Sequence, residues 1–151
     1  MKDCWKRSDE IFGLLQPGAL LDQPIGLRHP LVFYLGHLPA FSWNQVCRGV
    51  LDMPSFRPDF DSLFERGIDP MGVDSYESTA QWPEIDEIID YRDRVRHAIL
   101  EAVKSVAERA GDDRLAENGR IFEVAIEHEL MHQETLQYLL LQMPLEKKRP
   151  P

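Results

Sequence analysis

Apolar residues recur at helical spacing through most of the chain, and four stretches carry the pattern. From about Asp3 to Leu15, Trp5, Ile11, Leu14 and Leu15 stand among charged residues, which predicts an amphipathic helix stopped by Pro17-Gly18. Ala19 to Arg28 reads as a connector. Pro30 then falls in the first turn of a second helix, where a missing N–H is tolerated, and the helix runs through Leu31, Phe33, Tyr34, His37, Leu38, Phe41 and Val46 to about Val50. Pro39 is expected to bend it, because its ring removes a backbone donor and crowds the preceding turn. Leu51 to Pro83 contains Pro54, Pro58, Gly67, Pro70 and Gly72 among many Asp and Ser, with no sustained period. A long irregular loop is expected there, kept ordered by Phe56, Phe60, Phe64, Tyr76 and Trp82. The third helix begins near Glu84, carries Ile85, Ile88, Ile89, Val95, Ile99, Val103 and Val106 opposite charged positions, and ends at Gly111 and Asp112-Asp113. A fourth starts between Asp113 and Gly119 and continues to about Gln142, before Pro144. No strand-like alternation and no internal repeat competes with this reading. The expected fold class is therefore all-α, a four-helix bundle, up-down with a long crossover loop. One domain is expected over 1–143, with 144–151 a linker or tail.

Composition narrows the partners. With 151 residues, 43% of them hydrophobic, the chain can bury one core, and its net charge of -9 opposes binding to nucleic acid or an anionic membrane. The basic cluster Lys147, Lys148 and Arg149 is terminal. No stretch approaches the roughly 20 apolar residues of a membrane span, and the start of the chain lacks the apolar run of a signal peptide, so a soluble cytoplasmic protein is expected. Cys4 and Cys47 match no Cys-x-x-Cys spacing and read as structural thiols.

The chemistry concentrates in the fourth helix. His128 and His132 are four residues apart, which places both imidazoles on one helix face, one turn apart, where a single cation can bridge them. On a helical wheel they share a side with Ile121, Val124, Thr135 and Leu139, so they face the core. Such a pair alone is equally well explained by core histidines hydrogen-bonded to carbonyls or carboxylates. His37 changes the balance, because it sits mid-helix between Phe33 and Tyr34 on one side and Phe41 on the other. Three inward-facing histidines in one small bundle are most economically explained by one shared metal ion. His29 and His97 read as surface or capping residues. Glu134 faces away from the pair and suits a supporting or interhelical carboxylate rather than a ligand, and a solvated carboxylate explains it equally well. The pair also matches His-Glu-x-x-His, which makes a zinc hydrolase with Glu129 as base a formal alternative. That class also needs a substrate-binding strand, which the pattern does not predict, and no His, Asp or Cys follows His132, so the alternative is disfavoured.

The signature His128-x-x-x-His132-x-Glu134, with the run Arg-His-Pro-Leu-Val-Phe-Tyr-Leu-Gly-His from Arg28 to His37, resembles the DinB-like domain of the sulfoxide synthases that make ergothioneine and ovothiol. Phe64 to Pro70, Trp82-Pro83 and Tyr91 to Arg94 are further matches, and the resemblance covers nearly the whole chain. It implies a non-haem Fe(II) site on His37, His128 and His132, with Zn or Ni as alternatives and Glu134 as the motif's supporting carboxylate. It implies a reaction in which O2, a thiol such as cysteine or γ-glutamylcysteine and an imidazole such as hercynine give a carbon–sulfur bond and a sulfoxide. Relatives of this kind carry a second domain resembling the formylglycine-generating enzyme, which supplies the catalytic tyrosine. The chain is accordingly read as the N-terminal half, with that domain present in cis or in trans, and no catalytic residue is assigned within it. Leu130 and Leu141, on the side of the fourth helix away from the histidines, fit a helix that is enclosed or docked. Arg66, Arg92 and Arg94 are candidates for gripping a substrate carboxylate, although ordinary surface arginines are the favoured reading for each. Two other readings stand beside this one: a different DinB-like metalloprotein related to thiol transferases, and a non-catalytic helical interaction module.

Overall fold

The computed structural model describes residues 1–65 and 82–149. Regular structure among them is helical: α1 (Lys2–Gly13), α2 (Leu31–Ser42), α3 (Pro58–Phe64), α4 (Ile85–Glu108) and α5 (Arg120–Gln142), with short 3-10 turns between. Extended backbone pairs at one isolated bridge, between Leu15 and Lys148. The all-α class read from the periodicity is the observed one.

Helix α2 is the centre of the packing. Every residue of it except Phe41 is buried, because α3, α4 and α5 all pack against it. That explains why its sequence lacks a polar face. The helix passes through Pro39 and then widens into a π-helical segment, Trp43–Val50, in which the Leu51 N–H donates to the Val46 carbonyl at 3.3 Å. Pro39 lacks the N–H that would close the preceding turn, and the departure from α geometry follows one turn later.

Helix α3 corrects the expectation of an irregular loop across Leu51 to Pro83. Pro58 sits at its start, Asp59 and Asp61 favour its first turn, and Phe60 and Phe64, four residues apart, are both buried. A seven-residue helix spans two turns, too few to display a period in sequence. Phe56 and Trp82 pack onto the core as expected, while Arg66 and Tyr76 lie outside the described residues.

Helix α4 buries Ile88, Val95, Ile99 and Val106 of the predicted stripe, with Tyr91 and Ala102 beside them, half-buries Ile85 and Ile89, and leaves Val103 exposed. Asn118 and Gly119 turn the chain into α5 with φ of 54° and 70°, a left-handed pair that Gly accommodates without a Cβ penalty. Helix α5 has two buried faces, one on α2 and one on α1. Leu130 and Leu141 lie on neither and are exposed, Leu141 at 77%.

His29 is also a correction: it is buried, with its ring centroid 4.0 Å from that of Phe33. The connector folds back over the start of α2, where the Leu31 N–H donates to the Asp22 carbonyl at 3.1 Å, so a position that looks like a surface helix start lies inside. His97 is exposed beside Glu101. Both cysteines are free and buried. Residues 144–149 run back along the end of α1. There the Gln16 N–H donates to the Lys147 carbonyl at 2.9 Å, the Arg149 N–H to the Leu14 carbonyl at 2.7 Å, and Lys147 pairs with Asp22. No helix among the described residues is long and apolar enough to cross a membrane.

Candidate metal centre

The α-helical pitch puts His128 and His132 on the inner face of α5, and the packing of α2 against α5 brings His37 to them. The three form the one cluster of metal-ligating side chains found among the described residues, with a ring nitrogen from each within 4.8 Å of the others. His132 is at the middle: its Nε2 lies 3.1 Å from Nε2 of His37 and 3.1 Å from Nε2 of His128. Phe33 stacks on His37 at 4.9 Å between centroids, Phe41 stacks on His128 at 3.5 Å, and Tyr34 lies against His132 at 5.6 Å. Phe33, His37 and Phe41 are successive members of one i,i+4 stripe on α2, so a single helix face supplies a nitrogen and two apolar walls.

Proton counting shows what this geometry asks for. The His37 Nδ1–H donates to the Phe64 carbonyl at the end of α3, 2.6 Å away, which leaves a bare lone pair on its Nε2. His132 can donate one Nε2 proton to that lone pair. Its Nε2 then has no lone pair left to accept from His128, so both short contacts cannot be hydrogen bonds between neutral rings. One cation accepting all three lone pairs resolves the conflict. Two nitrogens on neighbouring positions of an ion with bonds of about 2.1 Å stand roughly 3.0 to 3.4 Å apart, which the two spacings through His132 match. The residues present therefore fit a metal.

Burial pushes all three imidazoles below their ordinary value of 6.5: His37 to about 4, partly opposed by its bond to Phe64, and His132 to about 3. His128 falls to about 2, with repulsion from His132 and His37 adding to burial. At neutral pH the rings are neutral and their lone pairs are available. A stability dependence follows. The unfolded chain takes up protons near pH 6.5 while the folded chain resists, so stability is fully present above that value and is lost as pH falls toward the folded values. The slope reaches up to about 1.4 kcal/mol per pH unit for each histidine. Glu129, whose carboxyl burial pushes up, acts in the opposite sense as one group against three. Urea midpoints of chelator-treated protein at about pH 7.5 and about pH 5 test this. A fall at the lower pH is expected, and a flat profile would contradict buried neutral histidines.

The other predicted residues lie elsewhere. Glu134 is exposed on α5, and its side chain makes no hydrogen bond or ion pair among the described residues. Arg92 is taken up by Asp93 and Asp9, whereas Arg94 lies over the Phe56 ring, 4.0 Å from Asp90. Glu129 turns toward α1. It is 2% exposed and accepts from Ser8 Oγ at 2.5 Å, while Gln133 Nε2 donates to Ser8 Oγ and to the Cys4 carbonyl. This polar seam locks α5 onto α1, and its one sequence signal was the i,i+4 pair Glu129 and Gln133 beside the histidine face. The Phe64 carbonyl had no sequence signal at all.

A helical bundle with three converging histidines, His37 and His132 buried and His128 half-buried, is the class that fold and site define together. The chain belongs to the DinB superfamily, whose family pattern matches residues 1–136. Among its relatives is the protein named Ergothioneine biosynthesis protein 1 of Neurospora crassa, 37% identical over 144 residues, a match covering 85% of this chain and 15% of that protein. The protein of the same name from Schizosaccharomyces pombe is 30% identical over 126 residues, covering 78% of this chain and 16% of its own. The chain thus spans 15% and 16% of the length of these two relatives. They agree with the resemblance carried by the motifs around His37 and His128.

Proposed function

We propose that this chain is the metal-binding domain of a non-haem iron(II), O2-dependent sulfoxide synthase that joins a cysteine-type thiol to a histidine-derived imidazole such as hercynine. The observation that carries the reading is the convergence of three neutral Nε2 atoms from His37, His128 and His132 in one apolar pocket. The names of the two relatives supply the pathway. Iron held by His37, His128 and His132 would supply electrons to O2, which redox-silent zinc would not. The protein's own part is to orient and to exclude water. Phe33, Phe41 and Tyr34 wall the imidazoles, and the Phe64 carbonyl keeps the proton of His37 on Nδ1. With no carboxylate in the cluster, the donor set carries no negative charge, which favours an anionic thiolate as substrate. Substrate contacts and the remaining catalytic groups belong, in this proposal, to a formylglycine-generating-enzyme-like domain in cis or in trans. The exposed Leu130 and Leu141 offer apolar surface for such a domain to cover.

Elemental analysis of anaerobically purified protein tests the metal, and O2 uptake with a thiol and hercynine, measured with the partner domain present, tests the reaction. Close to one iron per chain and thiol-dependent O2 uptake are expected. Stoichiometric zinc without O2 uptake would move the chain to the thiol-transferase-like reading.

A further inference from the structure

His37 is the member of the cluster whose second nitrogen the described protein holds, because Nδ1 of His128 and of His132 are buried without a hydrogen-bond partner among the described residues. The proton pattern of the cluster therefore starts from the Phe64 carbonyl, and that carbonyl is only as well placed as α3. A helix of seven residues does not hold itself together in water. Buried Phe60 and Phe64 pack it onto the core, and its polar tie to the rest of the bundle is Asp61, one turn before Phe64 and 1% exposed, with Arg48 4.0 Å from its carboxylate. Its Oδ1 accepts from the Tyr91 hydroxyl of α4 at 2.7 Å and its Oδ2 from Ser55 Oγ at 2.5 Å, while its backbone carbonyl lies 3.4 Å from the Asn44 amide. Burial and the neighbouring carboxylate both keep the Tyr91 phenol protonated, so it remains a donor. From the other side, α3 is pressed against α2 where Gly36 leaves no room for a side chain beneath the Phe64 ring.

We propose that Asp61 is a positioning residue for the histidine cluster: by tying α3 to α4 and to Ser55 it places the Phe64 carbonyl on His37 Nδ1, fixing which nitrogen of His37 faces His128 and His132. Its functional meaning rests on His37 being a metal ligand. The positioning itself does not, and can be read without metal. Asp61 needs no contact with metal or substrate for this role, since a displaced carbonyl frees the His37 ring to carry its proton on Nε2, where it blocks the lone pair the cluster needs.

The test uses the metal-free chain with 15N-labelled histidine, in which long-range proton–nitrogen correlations report the tautomer of each ring. Wild type is expected to show His37 with its proton on Nδ1. Asp61→Ala is expected to lose that signature and, with Fe(II) or Zn(II) added, to bind about 10- to 100-fold more weakly. Asp61→Asn, which keeps one acceptor for Tyr91, is expected to restore the tautomer and bring affinity back most of the way. Should Asp61→Ala not fold, Tyr91→Phe removes the α4 bond while keeping the ring, and a partial loss of the His37 signature is expected. Val106→Ala, about 22 Å further along α4 from Tyr91, destabilises the same bundle and is expected to leave tautomer and affinity unchanged. A folded Asp61→Ala or Tyr91→Phe protein with the wild-type His37 signature overturns the inference, as does a Val106→Ala protein that loses it. If the tautomer responds as expected but wild type binds no metal, the positioning stands and the metal reading fails.

Discussion

His132→Leu is expected to abolish tight metal binding while leaving the metal-free chain at least as stable as wild type. His132 is fully buried, touches both other histidines through one nitrogen, and has no partner for Nδ1 among the described residues. A buried polar group without a partner costs about 1–3 kcal/mol, so a leucine of similar size relieves that cost in the absence of metal. Metal affinity goes the other way. Losing a group behind a ligand costs roughly 10- to 100-fold, and losing the central ligand is expected to exceed about 100-fold. Competition with a chromogenic chelator reads the affinity, and urea unfolding in chelator reads the stability. If the variant binds metal as wild type does, the three-histidine site is wrong. If instead it loses the roughly 2–5 kcal/mol typical of damaged core packing, then His132 is an ordinary core residue.

Gly36→Ala is the second large effect expected. A Cβ there would lie 2.5 Å from two carbons of the Phe64 ring and 2.6 Å from a third. The ring cannot swing aside, since Phe64 is fully buried among Phe33, Phe60 and Trp82. Alanine is about 1 kcal/mol better than glycine in a helix, yet the overlap is expected to outweigh this and destabilise the protein by about 1–3 kcal/mol net. Because the displaced residue carries the carbonyl that holds His37, metal affinity is expected to fall by about tenfold as well. In a Phe64→Leu background the stability penalty should largely vanish, giving a coupling of at least about 1 kcal/mol in a double-mutant cycle. Additive effects would show that Gly36 and Phe64 are not in steric conflict.

These two residues mark where sequence reading succeeded and where it could not. Long helices were legible because α4 and α5 run for 24 and 23 residues, enough for an apolar period to repeat several times. His37 was legible from its company, since an imidazole flanked by Phe33, Tyr34 and Phe41 has no solvent to face. Helix α3 was not, because two turns between prolines look like a loop and their stability comes from Asp61, Tyr91 and Ser55, which sequence does not bring together. The burial of His29 has no local signal for the same reason: the connector that covers it folds back through a contact between Leu31 and Asp22. In sequence Glu129 resembles only a hydrolase base, because its partner Ser8 stands 121 residues away.

By itself the sequence determined the all-α class, the placing of His128 and His132 on one face of α5, and their inward direction, since these follow from a local helical repeat that neighbouring residues dictate. The tertiary structure alone decided that His37 meets them, His132 being 95 residues away, that its proton is held by the Phe64 carbonyl, and that Gly36 must stay bare. Contacts between distant segments depend on how whole helices pack, and a backbone carbonyl, being the same in every residue, leaves no mark in the sequence to announce its role.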